Sequence, residues 1–295
     1  MKILLVGVGN LGQRYLEGLD KLKKKKVFFY DKNKRLLKDV QKLYQLKNKD
    51  FFVKNELKVS SVKSFDLCIL ATTASSRHNL VNEILKNYKI KFWILEKLVS
   101  NNINNFEKIY KKLKNKRAYV NLPRPYSKIH SYLKNKRFSN IKIVTSGGKW
   151  NIASNCIHHM HLLEWLTNEK IERITIDKKK FYKSKRTNFI DFYGTLTAYT
   201  GSGSKIILRN NISNKKFNIK INHLNDNWLI NEHYGFLKKN SKFIIKKEFN
   251  YQSQITPLIV KSISNSCKLP SLNKIYDLHN MILKEFRKIN LYKVT

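Results

Sequence analysis

The residues best suited to chemistry fall in three short stretches. In the first, "GVGNLG", Gly7, Gly9 and Gly12 stand in GxGxxG spacing, after an apolar run that begins at residue 2 and before a helical pattern. Such a first glycine makes a tight turn, the second lets backbone approach a pyrophosphate, and the third lets helix and strand pack closely. Asn10 and Leu11 then open a helix whose free N–H groups face the phosphates. Asp31 follows at the end of the next apolar run, where a carboxylate can accept hydrogen bonds from an adenosine ribose. That position favours NAD, while Lys32, Lys34 and Arg35, which can pair with a 2′-phosphate, leave NADP open.

The second stretch, "NCIHHMHLLEW" (155–165), holds three of the chain's eight histidines. On a helix Asn155, His158, His161 and Leu162 share one broad face, whereas His159, Met160 and Glu164 point elsewhere. Apolar residues cover much of the circumference, which predicts an interior helix whose polar groups need partners or a cavity. Catalytic histidines and plain structural histidines are both compatible with this pattern. A zinc site of His158 and His161 with Glu164 or His130 is the rival reading, but there is no HExxH and no thiol pair, and no metal is expected. The third stretch is "FWILEKLVS", in which Lys97 ends a strongly apolar strand.

The elements that must position these residues are legible in outline. Apolar strands at 2–8, 26–31, 66–72, 92–97 and 117–122 alternate with amphipathic helical segments, the pattern of βαβ units feeding a parallel sheet covered on both faces. Pro123 and Pro125 break this pattern, and the domain boundary is placed there: residues 1–122 as a dinucleotide-binding domain and 123–295 as a substrate and oligomerisation domain. The second part opens with a helix near 126–134, a strand at 140–146 and the histidine helix. Long β-rich runs separated by short turns follow, then helices near 253–265 and 272–288, as expected for an α+β domain with a large, mostly antiparallel open sheet.

Composition narrows the classes. The chain of 295 residues is 42% hydrophobic, enough for two ordinary cores. It lacks an apolar run of 18 residues and a secretory leader, and a cytoplasmic location is expected. Cys68, Cys156 and Cys267 are far apart, so no disulfide framework is implied. The net charge of +40 comes mostly from lysines spread along the chain. No basic helix face, RNA-binding aromatic motif or zinc-finger spacing accompanies it, so no specific nucleic-acid partner is expected, only weak salt-sensitive attraction to polyanions.

With these motifs in order, the chain resembles the glucose–fructose oxidoreductase, inositol dehydrogenase and MocA-like family (Gfo/Idh/MocA). The resemblance rests on "GVGNLGQRYLEGL", "ATTASSRH", "LEKLVS", "VNLPRPY" and "SNCIHHMHLLEWL", over about the first 166 residues. It implies a Rossmann domain joined to an open-sheet domain, and an NAD(P)-dependent oxidoreductase acting on a sugar, cyclitol or sugar nucleotide. "LEKLVS" looks like the family's Glu-Lys-Pro segment, which puts Glu96 and Lys97 beside the cofactor and makes Lys97 the active-site lysine, with Leu98 in place of proline. "ATTASSRH", aligned on His78, resembles a cofactor-lining loop that includes Thr72 and Thr73. "NLPRPY" makes Arg124 a candidate for a substrate oxygen or phosphate, or for a structural salt bridge.

On the histidine helix the resemblance puts His158 on the catalytic histidine, with Ser154 and His161 where family members carry aspartates. Asn155 and His161 are then substrate-side candidates. The missing carboxylates give the alternative: a non-catalytic dinucleotide-binding or redox-sensing protein. Self-association through the open sheet is a further expectation.

Overall fold

In a computed structural model the chain is described at residues 1–44, 48–58, 62–184, 188–211, 217–249 and 251–294. The ends of the expected helix over 34–46 and of strands reaching 212 and 216 lie outside these residues. The chain divides into two compact units, Met1–Asn121 with Tyr251–Lys274, and Leu122–Asn250 with Ile275–Thr295. The units differ from the linear division in that residues 251–274 belong with the first unit and Leu122 with the second.

The elements run β1 (Lys2–Val6), α1 (Asn10–Asp20), β2 (Lys26–Tyr30), α2 (Lys34–Tyr44), β3 (Phe51–Val53), β4 (Ser64–Leu70), α3 (Arg77–Asn87), β5 (Lys89–Leu95), α4 (Ile103–Leu113) and β6 (Arg117–Val120). A short 3-10 turn at Arg124–Tyr126 leads to α5 (Lys128–Lys134), β7 (Lys142–Gly148), α6 (Ile152–Thr167), β8 (Ile171–Lys183), β9 (Ile190–Thr200) and β10 (Lys205–Asn211). Then come β11 (Asn218–His223), β12 (Asp226–Asn231), β13 (Phe236–Lys239), β14 (Lys242–Ile245), α7 (Gln252–Ser262) and α8 (Tyr276–Lys288).

In the first unit all strand pairs are parallel and the order is β3-β2-β1-β4-β5-β6, the doubly wound arrangement with its switch point at β1 and β4. The apolar runs form this sheet because both faces are covered: Ile3, Leu4 and Leu5 are all buried. The three-residue β3 was not expected, since "FFV" is too short to carry a period.

Residues 251–274 complete this unit. Gly18 of α1 lies against α7 so closely that a Cβ there would meet Thr256 Cβ at 2.6 Å. Pro257 lies inside α7 and lacks an N–H for the turn before it. Lys21 Nζ donates to the Ser253 carbonyl four residues earlier at 3.3 Å. At the open edge of β6, Val120 N–H donates to Pro270 O at 3.0 Å and Leu272 N–H to Ala118 O at 2.8 Å, so the expected helix near 272 begins only at Tyr276.

The second unit is an eight-stranded sheet of order β14-β13-β12-β11-β7-β10-β9-β8, antiparallel except for the β7–β10 pair. Alternation along β7 and β10 sends Ile143, Thr145, Ile206 and Leu208 to the covered face, where α6 lies on β9 and β10. Among the described residues no helix is long and apolar enough to cross a membrane.

Candidate active site

In the first unit the strand ends at the switch point carry the glycine loop. Gly7 has φ +96°, open to glycine but strained for other residues. A Cβ on Gly12 would lie 2.0 Å from the Gly7 carbonyl oxygen, so the turn and α1 touch directly. Among the described residues nothing lies within 4 Å of where a Cβ on Gly9 would stand. No acidic residue sits in the first turn of α1 and no side chain caps it, leaving its N–H dipole uncompensated. Asn10 is exposed and Leu11 half-buried in that turn.

Asp31 faces the same loop. Its Oδ2 accepts the Val8 N–H at 2.8 Å and its Oδ1 accepts the Asn33 N–H at 2.9 Å. Of the nearby cations, Lys34 donates to the Asn55 carbonyl, while Lys32 and Arg35 are exposed. The Thr72 hydroxyl is buried and has no partner among the described residues, and its methyl group would lie 2.8 Å from a Cβ on Gly7. Open space over Gly9, an unneutralised helix terminus and an orphaned hydroxyl fit a dinucleotide phosphate cradle.

The next two strand ends depart from expectation in instructive ways. Thr73 is exposed with Oγ1 3.4 Å from the hydroxyls of Ser75 and Ser76. His78 is half-buried and pairs along its own helix, with Nε2 3.2 Å from Asn82 Nδ2. The inward residue of that turn is its neighbour Arg77, 2% exposed, which donates to the carbonyls of Thr72, Glu96 and Leu98.

Glu96, expected beside the cofactor, is instead an interior carboxylate: its Oε1 accepts Tyr15 Oη and Asn121 Nδ2, each at 2.6 Å. Glu96 continues the uninterrupted buried run from Phe92 to Leu95, as expected of a parallel strand covered on both faces, while Lys97 is half-buried. Burial, then the charge of Glu96, pushes the Tyr15 phenol well above its ordinary range. The peptide between Lys97 and Leu98 is cis.

In the second unit α6 begins after Asn151, which takes φ +59°. Asp191 of β9, fully buried, meets this helix start. It accepts the N–H of Ala153 at 3.1 Å, the N–H of Ser154 at 3.3 Å and the N–H of Phe192 at 2.9 Å, and its Oδ2 is 3.5 Å from Ser154 Oγ. Burial raises its carboxyl to about 6 against the pull of these N–H groups. Thus a carboxylate does reach Ser154 of α6, from the strand β9.

Among the histidines of α6, His158 is half-buried, whereas His159 and His161 are buried. His159 Nδ1 is 3.2 Å from Thr145 Oγ1 and its Nε2 is 3.3 Å from Arg124 Nη2. Asn155 places its amide nitrogen on the carbonyls of Trp150 at 2.9 Å and Asn151 at 3.1 Å. Of the further residues in the zinc reading, His130 lies 3.3 Å from Glu232 and Glu164 accepts the Ile171 N–H at 3.0 Å. Among the described residues no three His, Cys, Asp or Glu side chains gather as metal ligands.

Arg124 forms an ion pair within the second unit: its Nε and Nη2 grip Glu232 at 2.8 and 3.0 Å. Its Nη1 is buried and has no partner among the described residues. Burial alone would raise Glu232, but the charge of Arg124 and the nearby His130 hold its carboxyl well below the usual range. Glu232 and Asp191 were not singled out because each meets its partner from far along the chain, Glu232 from the turn after β12 and Asp191 from β9. Arg77 did have a local signal, its place one helical residue before His78.

A doubly wound sheet with a glycine loop, joined to a large open sheet carrying a histidine helix, is the two-domain fold of the Gfo/Idh/MocA dehydrogenases. The protein's structural likenesses say the same. It is similar to the dehydrogenase MviM from Clostridium difficile, at 13% identity over 98% of this chain and 99% of that one, with a TM-score of 0.68. It is similar to myo-inositol dehydrogenase from Lactobacillus casei, solved with NAD(H) and myo-inositol, at 15% identity, 99% and 95% coverage and a TM-score of 0.72. It is equally similar to a super-repressor mutant of Gal80p from Saccharomyces cerevisiae, at 14% identity, 97% and 95% coverage and a TM-score of 0.76. At such identities the likeness is one of fold. No protein-family model and no curated protein matches the chain by sequence.

Proposed function

We propose that the protein is an NAD(P)-dependent oxidoreductase that moves a hydride between nicotinamide and a carbon bearing a hydroxyl or carbonyl, on a sugar, cyclitol or sugar nucleotide. The observation that carries this reading is the phosphate cradle: open space over Gly9, the uncapped start of α1, the orphaned Thr72 hydroxyl and Asp31 turned to the loop. Gly7, Gly9, Asn10, Leu11 and Gly12 would hold the pyrophosphate, and Asp31 the ribose, which favours NAD. The exposed Lys32 and Arg35 are the groups that would admit NADP.

The bound nicotinamide supplies the hydride acceptor or donor. In the oxidising direction the substrate loses a hydride from carbon and a proton from oxygen, so the chain must take that proton. Lys97, at the end of β5, and His158, the half-buried histidine of α6, are the groups assigned to it. Arg124, Asn155 and His161 are assigned to the substrate side, Arg124 through its remaining Nη1 donor. Myo-inositol dehydrogenase, with the same fold and a bound cyclitol, supports this substrate class.

The experiment is titration of the purified protein with NADH and NADPH by fluorescence, followed by turnover assays on a sugar and cyclitol panel. Binding of NADH with turnover that is lost in Lys97→Ala and His158→Ala is the expected result. Retained turnover in both variants would sink the residue assignment.

A second reading is favoured by Ser154 and His161, which are not carboxylates, and by the shared fold of Gal80p, described as having a super-repressor form. A non-catalytic dinucleotide sensor would bind NADH yet turn over nothing on the panel.

A further inference from the structure

We propose that Arg77 is the positioning residue of the active-site lysine: a buried guanidinium that fixes the backbone on both sides of Lys97 and ties it to the cofactor loop. This rests on the oxidoreductase reading for its functional meaning, while its geometry stands alone.

Arg77 is the first residue of α3, yet its side chain is turned inward and is 2% exposed. A buried guanidinium is costly to desolvate and is usually retained where its planar fork is used. Here Nη1 donates to Glu96 O at 2.6 Å and also to Leu98 O, and Nη2 donates to Thr72 O. The two carbonyls on Nη1 are those immediately before and after Lys97. The backbone at Lys97 cannot tilt without breaking one of them.

The third carbonyl, Thr72 O, belongs to the loop that presses on Gly7. One side chain thus joins the segment carrying the lysine to the segment forming the phosphate cradle. The far side of Glu96 is held as well, by Tyr15 and Asn121, so residue 96 is pinned through both main chain and side chain.

Chemistry explains the residue type. Arginine offers five N–H groups in one plane and stays charged in the interior, whereas a lysine ammonium is a single point donor that cannot span both segments in a fixed plane. Arg77 is enclosed and acts through Lys97, so it is not itself a catalytic residue.

The test compares wild type with Arg77→Lys and Arg77→Ala in the full chain. NADH affinity is read by fluorescence, and the environment of Lys97 by NMR of ¹³C-methylated lysines, its resonance assigned by its absence in Lys97→Arg. Expected are a displaced Lys97 resonance in both variants and NADH affinity weaker on the order of tenfold, the scale of one hydrogen bond. Millimolar guanidinium should restore both in Arg77→Ala, and methylammonium should not.

A Lys97 resonance unchanged in a folded Arg77→Lys protein overturns the proposal. If Arg77→Ala does not fold, Arg77→Lys decides. If wild type fails to bind NADH, the oxidoreductase reading falls, while the resonance comparison still judges the clamp.

Discussion

Gly9 and Gly12 look alike in the sequence and do opposite work. Gly12 has no room for a methyl group, since its Cβ would meet the Gly7 carbonyl at 2.0 Å. Gly12→Ala should therefore destabilise the first unit by about 1–3 kcal/mol, seen as a lowered Tm. Gly9 has φ −62° and open space above it, so Gly9→Ala should keep the wild-type Tm and weaken NADH binding in the same titration. The opposite pattern would remove the cradle from Gly9. These glycines were legible because their spacing is local. Glu96 was not, because its partners Tyr15 and Asn121 stand 81 and 25 residues away in the chain. Arg77 was passed over for a neighbouring histidine of the expected type; residue type misled where the inward face of α3 decides.

At the level of elements, α6 illustrates how a helix can be read correctly and its surroundings missed. Its apolar circumference predicted an interior helix, and Leu162, Leu163 and Leu166 are indeed buried. Its start, however, is held by Asp191, a residue of β9. That carboxyl rises from 3.8 to about 6 in the folded protein, so the folded state keeps a proton the unfolded chain has released. The stability this contributes is present below about pH 4 and lost as pH rises through 6, an amount of order 3 kcal/mol. Asp191→Asn carries no such proton, and the difference in denaturation free energy between it and wild type should change by that order between pH 4 and 7. A difference constant with pH would show that Asp191 is ionised throughout. Asp191→Ala, which strands the N–H groups of Ala153, Ser154 and Phe192, should be less stable than Asp191→Asn by about 1–3 kcal/mol at any pH, since neither variant titrates there.

Across the whole molecule, charge and chain path matter most. A net charge of +40 on 295 residues is self-repulsive, and salt screens it. Tm should rise as sodium chloride increases from about 0.02 to 0.3 M, the span over which the Debye length falls below about 10 Å; a flat profile in thermal scans would mean that the lysines do not feel one another. The order of strands was legible in the apolar runs, but the membership of 251–274 was not, because nothing in a helical period says which sheet it will cover. Their return also bears on how the protein is made. The glycine loop leaves the ribosome well before α7, on which Gly18 of α1 rests, and before Pro270, which closes the edge of β6. At roughly 5–20 residues per second, the nascent first unit waits on the order of ten to fifty seconds for its last pieces. Until residues 251–274 arrive, α1 keeps a bare face and, once made, β6 keeps an open edge, so the first unit completes its packing only after synthesis has passed through the second.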